Sequence, residues 1–186
     1  MLIPRRKLAL FFATLAALVF TIASASADEW TATGTGMRVK TVLFVDVNVY
    51  EISHFMKELP TADEIKAAGS KKAAVLAKDT GKKFVWTVKR DLPQDKVQAA
   101  IKDGFSMNGY ANQAKIDQYL AAFAGELKEG SKVTIEYDAG AKKVNVKTAA
   151  GSASIEGVDF MKGVWSIWLG KIDPPSLGDK LVSKIP

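Results

Sequence analysis

Beyond residue 27 the chain holds two arginines, Arg38 and Arg90, and otherwise carries its positive charge on lysine. Arg38 closes the run Gly34-Thr35-Gly36-Met37-Arg38, directly before an apolar segment of β type. A guanidinium presents a planar fork of donors and holds carboxylates and other planar oxyanions better than an ammonium does. Arg38 is therefore the first candidate for ligand contact; a structural salt bridge is the plainer alternative. Tyr50 is a second candidate donor through its phenol, unless it is an ordinary core tyrosine with its hydroxyl at the surface. Lys40 shares the strand face of Arg38 under period-2 alternation, either adding charge there or serving as solvated surface. His54 is the sole histidine and there is no cysteine, which leaves no histidine or thiolate metal cluster; no metal and no cofactor are expected. The sequence contains no G-x-S-x-G, P-loop or H-E-x-x-H motif. Gly34-x-Gly36 precedes a strand, not a helix, so it is no dinucleotide fingerprint.

The first 27 residues read as an export signal. Arg5, Arg6 and Lys7 form a positive start, Leu8 to Ile22 is an apolar run of 15 residues, and Ala23-Ser24-Ala25 and Ala25-Ser26-Ala27 are overlapping small-residue cleavage sites. The run is short for a membrane span, which needs about 20 apolar residues. Cleavage after Ala27 leaves a single domain, residues 28–186, with no membrane span and a periplasmic or secreted location. The formal charge of +6 falls to +3 without the signal, and the lysines are spread along the chain. No basic stripe interleaved with aromatics supports nucleic-acid binding.

The elements that must position these residues follow from periodicity. Trp30 to Thr33 is a short strand, and Gly34 and Gly36 permit a sharp change of direction or a close backbone approach. Val39 to Tyr50 reads as one strand, with Val45, Val47 and Val49 on one side and Asp46, Asn48 and Tyr50 on the other. Glu51 to Lys57 either continues it or breaks into a loop. A capping box at Thr61 and Glu64 predicts a short helix over 61–68, closed by Gly69. Phe84, Trp86 and Val88 share one face of a strand over 83–89. Pro93 opens a helix whose stripe is Val97, Ile101 and Phe105. A second helix covers 112–124, with Ile116, Leu120 and Phe123 inward. A hairpin follows over 132–147, then a short strand near Ile155, an aromatic helix over 158–169 with Trp165 and Trp168, and a last helix over 176–182. Strands come in runs and helices in blocks, which predicts an α+β fold: an antiparallel sheet with helices layered on one face.

Three pieces of the chain resemble the chalcone isomerase-like family. They are Gly34-x-Gly36-x-Arg38 feeding Val47-x-Val49-Tyr50; the strand to Arg90 followed by Asp91-Leu92-Pro93 and a helix; and Ser166-Ile167-Trp168-Leu169-Gly170 before Pro174-Pro175-Ser176-Leu177 and Leu181. Their order and spacing fit the bacterial exported branch. The resemblance implies an open-faced β-sandwich, a large antiparallel sheet under a helical layer, with a ligand cleft between them. Plant members close a flavanone ring without metal or organic cofactor, and other members are non-enzymatic fatty-acid binders whose equivalent arginine meets a carboxylate. Of five polar positions in the catalytic members, the arginine matches at Arg38. The threonine falls near Val45, the tyrosine near Val97, the asparagine near Gly104, and the late serine or threonine near Ile167, one residue from Ser166.

Ring closure needs several donors that hold and polarise the substrate. An apolar cleft with one arginine instead suits a fatty acid or similar apolar carboxylate. The first expectation is thus an exported, non-catalytic binder with Arg38 and Tyr50 on the ligand. The alternative is an intramolecular lyase or isomerase that uses Arg38, Tyr50 and Ser166. A third is an accessory protein that meets a protein partner through its sheet edge or aromatic helix.

Overall fold

Alternating burial builds the sheet. In the strand Lys82–Val88 the side chains of Lys82, Phe84, Trp86 and Val88 point inward, and those between them are half-exposed. The structure, a computed structural model, describes residues 29–186; the signal-like residues 1–27 lie outside the described residues. Six strands run antiparallel in chain order: β1 (Thr31–Val42), β2 (Val45–Met56), β3 (Lys82–Val88), β4 (Lys132–Asp138), β5 (Lys143–Lys147) and β6 (Ser152–Glu156). Six helices interleave with them: α1 (Ala62–Ala68), α2 (Lys71–Ala77), α3 (Gln94–Met107), α4 (Gln113–Leu120), α5 (Val158–Leu169) and α6 (Ser176–Leu181). A single 3₁₀ turn, Ala121–Phe123, extends α4. The expected α+β fold with one antiparallel sheet and a helical layer is what forms. The expected stripes Val97–Ile101–Phe105 and Ile116–Leu120–Phe123 are all buried in the core.

The first two strands depart from expectation. The stretch Val39 to Tyr50 is not one strand: Leu43 and Phe44 form a two-residue hairpin loop, with φ of 48° and 70° and both side chains exposed. Such turns favour Asn-Gly, because left-handed φ crowds a Cβ. Leu-Phe carries no turn signal, and the hairpin goes unseen in the sequence. Glu51 onward continues β2 to Met56. The expected short strand and the segment after Gly34 are one strand that starts at Thr31 and leaves Trp30 outside it, with Thr33 bulged out of register. A second irregularity leaves Val49 unpaired, between Arg38 opposite Tyr50 and Val39 opposite Asn48. The bulge breaks the expected alternation. Tyr50 joins the inward face of Ile52, His54 and Met56, not the face of Asp46 and Asn48. Helix α2 was also not expected; Ser70 caps it, its hydroxyl accepting from Ala73 N at 3.1 Å, and it buries only Ala74 and Val75.

Gly34 and Gly36 do not turn the chain. They let α6 lie directly on β1. A Cβ on Gly34 would fall on the carbonyl of Lys180 and the backbone of Leu181, whereas one on Gly36 would meet the side-chain tip of Leu177 at 2.5 Å. Thr33 adds a polar tie to the same segment, its hydroxyl donating to Leu181 O at 2.8 Å. That hydroxyl also lies 2.6 Å from His54 Nδ1, and Trp165 Nε1 donates to His54 Nε2 at 2.9 Å. An indole N–H only donates, so Nε2 is the acceptor and Nδ1 carries the proton given to Thr33. Burial lowers the His54 pKa to about 3, helped by the charge of Lys82. Lys82 is itself buried; its Nζ donates to the carbonyls of Val75 and Lys78, at 2.6 Å each, at the C-terminal end of α2. Burial lowers its pKa to about 7, against the charge of Asp79.

Two predictions follow from this packing. Gly34→Ala sets backbone against backbone and costs about 3 kcal/mol or more, while Gly36→Ala displaces one flexible side chain and costs less; urea denaturation of the two variants measures the difference, and equal costs would contradict the contact. The second concerns pH. Below about 6.5 the unfolded chain protonates His54 but the folded one does not until about 3, so stability is complete above 6.5 and is lost toward 3. For Lys82 the corresponding stability is complete above about 10.5 and is lost as pH falls to about 7. Both groups make stability rise with pH. Between pH 5 and 6.5, above the carboxylate range, the rise approaches about 1.4 kcal/mol per pH unit. His54→Gln should flatten it, and NMR of this sole imidazole should show no titration near 6.5 in the folded protein.

Candidate functional site

Beyond Val88 opposite Tyr50, the β1–β2 hairpin runs on without β3 beside it. Helix α3 and the segment after α5 continue over that extension, and between them lies a cleft of about 440 Å³. Its sheet side is Arg38, Lys40, Val47, Val49, Tyr50 and Trp86. Its helical side is Val97, Ala100, Ile101, Gly104 and Met107 of α3, with Ile167 and Trp168 of α5. The rim carries Arg90 to Pro93, Lys96, Asp103 and Lys171 to Asp173. The walls are largely apolar, and the volume falls within the range of roughly 300–1,000 Å³ typical of small-molecule sites.

The floor is aromatic and fixed. The ring of Tyr50 stacks on Trp86 at 4.5 Å and 8°, and Trp168 meets Trp86 edge-on at 5.3 Å. Trp168 Nε1 donates to Tyr50 Oη at 3.0 Å. That bond uses an acceptor site of the phenol, and its proton has no acceptor among the described residues. Burial raises the Tyr50 pKa, against the hydrogen bond from Trp168 and the charge of Arg38, so the hydroxyl keeps its proton at neutral pH. Two buried polar atoms, Trp86 Nε1 and Tyr119 Oη, have no hydrogen-bond partner among the described residues.

Arg38 sits half-buried on the strand position opposite Tyr50. It makes no ion pair and no hydrogen bond among the described residues. The structure thus brings Arg38 and Tyr50 into one cleft with donors available, and Lys40 stands exposed at the edge of the same cleft. A carboxylate there can take the guanidinium fork and the phenol O–H together, leaving a tail to run along Val97, Ile101 and Ile167.

The other sequence candidates are placed elsewhere. Ser166 faces a separate, shallower depression of about 450 Å³ with Ala73, Tyr110 and Asp159, and its hydroxyl donates to Gly163 O at 2.6 Å. It therefore cannot act with Arg38 and Tyr50. Its neighbour Ile167 lines the cleft, as do Val97 and Gly104, so those three positions are apolar or bare. Val45 is exposed near the hairpin tip and is not in the cleft wall; Val47 and Val49 are. His54 is a core residue under Trp165, remote from the cleft lining. Trp165 is core, while Trp168 is both core and cleft floor. No group of three or more histidine, cysteine or acidic residues is arranged to hold a metal among the described residues. No described helix is long and apolar enough to cross a membrane. Sequence reasoning passed over Arg90 as a site residue; its scarcity as an arginine and its place beside Asp91-Leu92-Pro93 were the available signals.

A family model described as chalcone isomerase-like matches residues 21–176. The fold aligns with that of an Arabidopsis thaliana fatty-acid binding protein at a TM-score of 0.68, over 85% of this chain and 89% of that one, with 14% sequence identity. At that identity the likeness is one of fold. No curated protein matches the sequence.

Proposed function

We propose that this chain, which belongs to the chalcone isomerase-like family, is an exported, non-catalytic binder of a fatty acid or similar apolar carboxylate, held in the cleft between sheet and helices. One observation carries the reading: a half-buried Arg38 and the O–H of Tyr50, neither with a partner for its donors among the described residues, line one cleft with apolar walls. Each methylene buried there contributes about 0.8 kcal/mol. Roughly ten of them supply about 8 kcal/mol, on the scale of a micromolar Kd before ordering costs. The head group then adds direction and selectivity.

The ring-closing alternative has less behind it. It would rest on Arg38 and Tyr50 alone, since Val97, Gly104 and Ile167 offer no side-chain donor and Ser166 faces another groove. Removing one donor of this kind costs about 3 kcal/mol of transition-state stabilisation, and several such donors are missing together.

Calorimetric titration of the delipidated protein with laurate should show saturable binding. Arg38→Ala should weaken it about tenfold or more, and Tyr50→Phe by about three- to tenfold, as expected for hydrogen bonds to a charged head. Unchanged affinity in Arg38→Ala would refute the assignment. Export by residues 1–27 is tested separately: the intact mass of the secreted product should correspond to a chain beginning at Asp28, and a chain retaining Met1 would overturn it.

A further inference from the structure

Every ion pair among the described residues is made by a lysine. Both described arginines, Arg38 and Arg90, make none, and both line the same cleft. Carboxylates were at hand. Asp103 and Asp173 share the cleft rim without pairing with either arginine. Asp91, next to Arg90 in the chain, is occupied by Lys128 Nζ at 3.0 Å and Glu129 N at 2.9 Å. Those bonds, with the bridge between Leu92 and Leu127, pin the segment that carries Arg90. Lys89 N donates to Val49 O at 3.0 Å and anchors it from the other side.

The register keeps the two arginines near one another. Arg38 lies opposite Tyr50, Tyr50 opposite Val88, and Arg90 follows two residues after Val88 in the bend that ends β3. Strand spacings of about 4.8 Å and rises of about 3.3 Å put their Cα atoms roughly 12 Å apart, within the joint reach of two long side chains converging on one group. A monocarboxylate neutralises one such charge. A head with two negative charges neutralises both, and the planar fork of arginine suits its oxygens.

We propose that Arg38 and Arg90 form a two-arginine clamp, and that the preferred ligand is an amphiphile whose head is dianionic. The inference rests on the cleft being an amphiphile site. Its test compares three probes that share an undecyl tail at pH 8: laurate, undecyl phosphate and undecylmalonate. Calorimetry should give undecyl phosphate and undecylmalonate an affinity about tenfold above laurate, the increment of one added charge-assisted contact near the surface. Arg90→Gln should remove that preference by weakening the two dianions more than laurate, and Arg90→Lys should restore it in part. Arg38→Gln should weaken all three probes. A preference for one dianion only still supports the clamp and tells phosphate from dicarboxylate chemistry. Equal affinities in the wild type, or a preference that survives Arg90→Gln, overturn the clamp and leave the carboxylate reading standing. Binding of the dianions without laurate supports the clamp and replaces the monocarboxylate. Binding of none of the three overturns both. Arg90 is exposed, so thermal melting of its variants should match the wild type.

Discussion

Two indole N–H groups of α5 end on one strand, and that pairing fixes the helical layer over the sheet. Trp165 reaches His54 and Trp168 reaches Tyr50. A buried indole N–H costs free energy when it lacks an acceptor, and at Trp165 and Trp168 the two β2 side chains take that role. At His54 the commitment sets the tautomer, and the proton on Nδ1 passes the constraint to Thr33 and on to the backbone of α6. At Tyr50 it occupies the oxygen from one side and leaves the O–H facing the cleft. One geometric requirement thus yields a closed polar chain in the core and an open donor four residues away.

The cleft exists because the sheet is uneven. The hairpin of β1 and β2 outruns β3, so α3 covers a two-stranded extension there and not a full sheet. The bulge at Val49 decides what that extension presents. It keeps Val47 and Val49 on the cleft wall while turning Tyr50 inward to stack on Trp86. Without it, strict alternation would place the phenol opposite the valines and remove the donor from the anchor.

Much of this was legible in the residues. Period-2 and 3.6-residue patterns located β3 and α3, and the Thr61–Glu64 box located α1, because there local chemistry and tertiary packing agree. Arg38 and Tyr50 were named from residue type and family resemblance, and they do meet in the cleft. What could not be read is where a local rule is broken. Leu43-Phe44 sits in a left-handed turn that its residue types disfavour, so two strands looked like one. A bulge has no signature in composition, so Tyr50 was assigned to the wrong face. Gly34-x-Gly36 left a sharp turn and a close backbone approach equally open; the structure makes it the approach, and the sequence could not say that α6, about 145 residues later, is what approaches. His54 and Lys82 look like surface polar residues until their partners are known, since burial of such groups is exceptional.

The contrast between lysine and arginine carries the last step. Lysine pairs decorate the surface, where a flexible ammonium in water contributes little and can be placed almost anywhere. A guanidinium left unpaired beside apolar walls is costlier to keep, because it loses part of its hydration without gaining a fixed partner. At the cleft floor no described residue pairs with Arg38, and burial raises the Tyr50 pKa, so its phenol keeps its proton. These two groups offer donors and a positive charge. That combination recognises an anion that is already formed. General acid–base chemistry would need a group able to switch, and the two histidine- and lysine-based candidates with lowered pKa values, His54 and Lys82, are spent inside the core on Thr33, Trp165 and the end of α2. The arrangement of charge thus fits the proposed binding of such an anion.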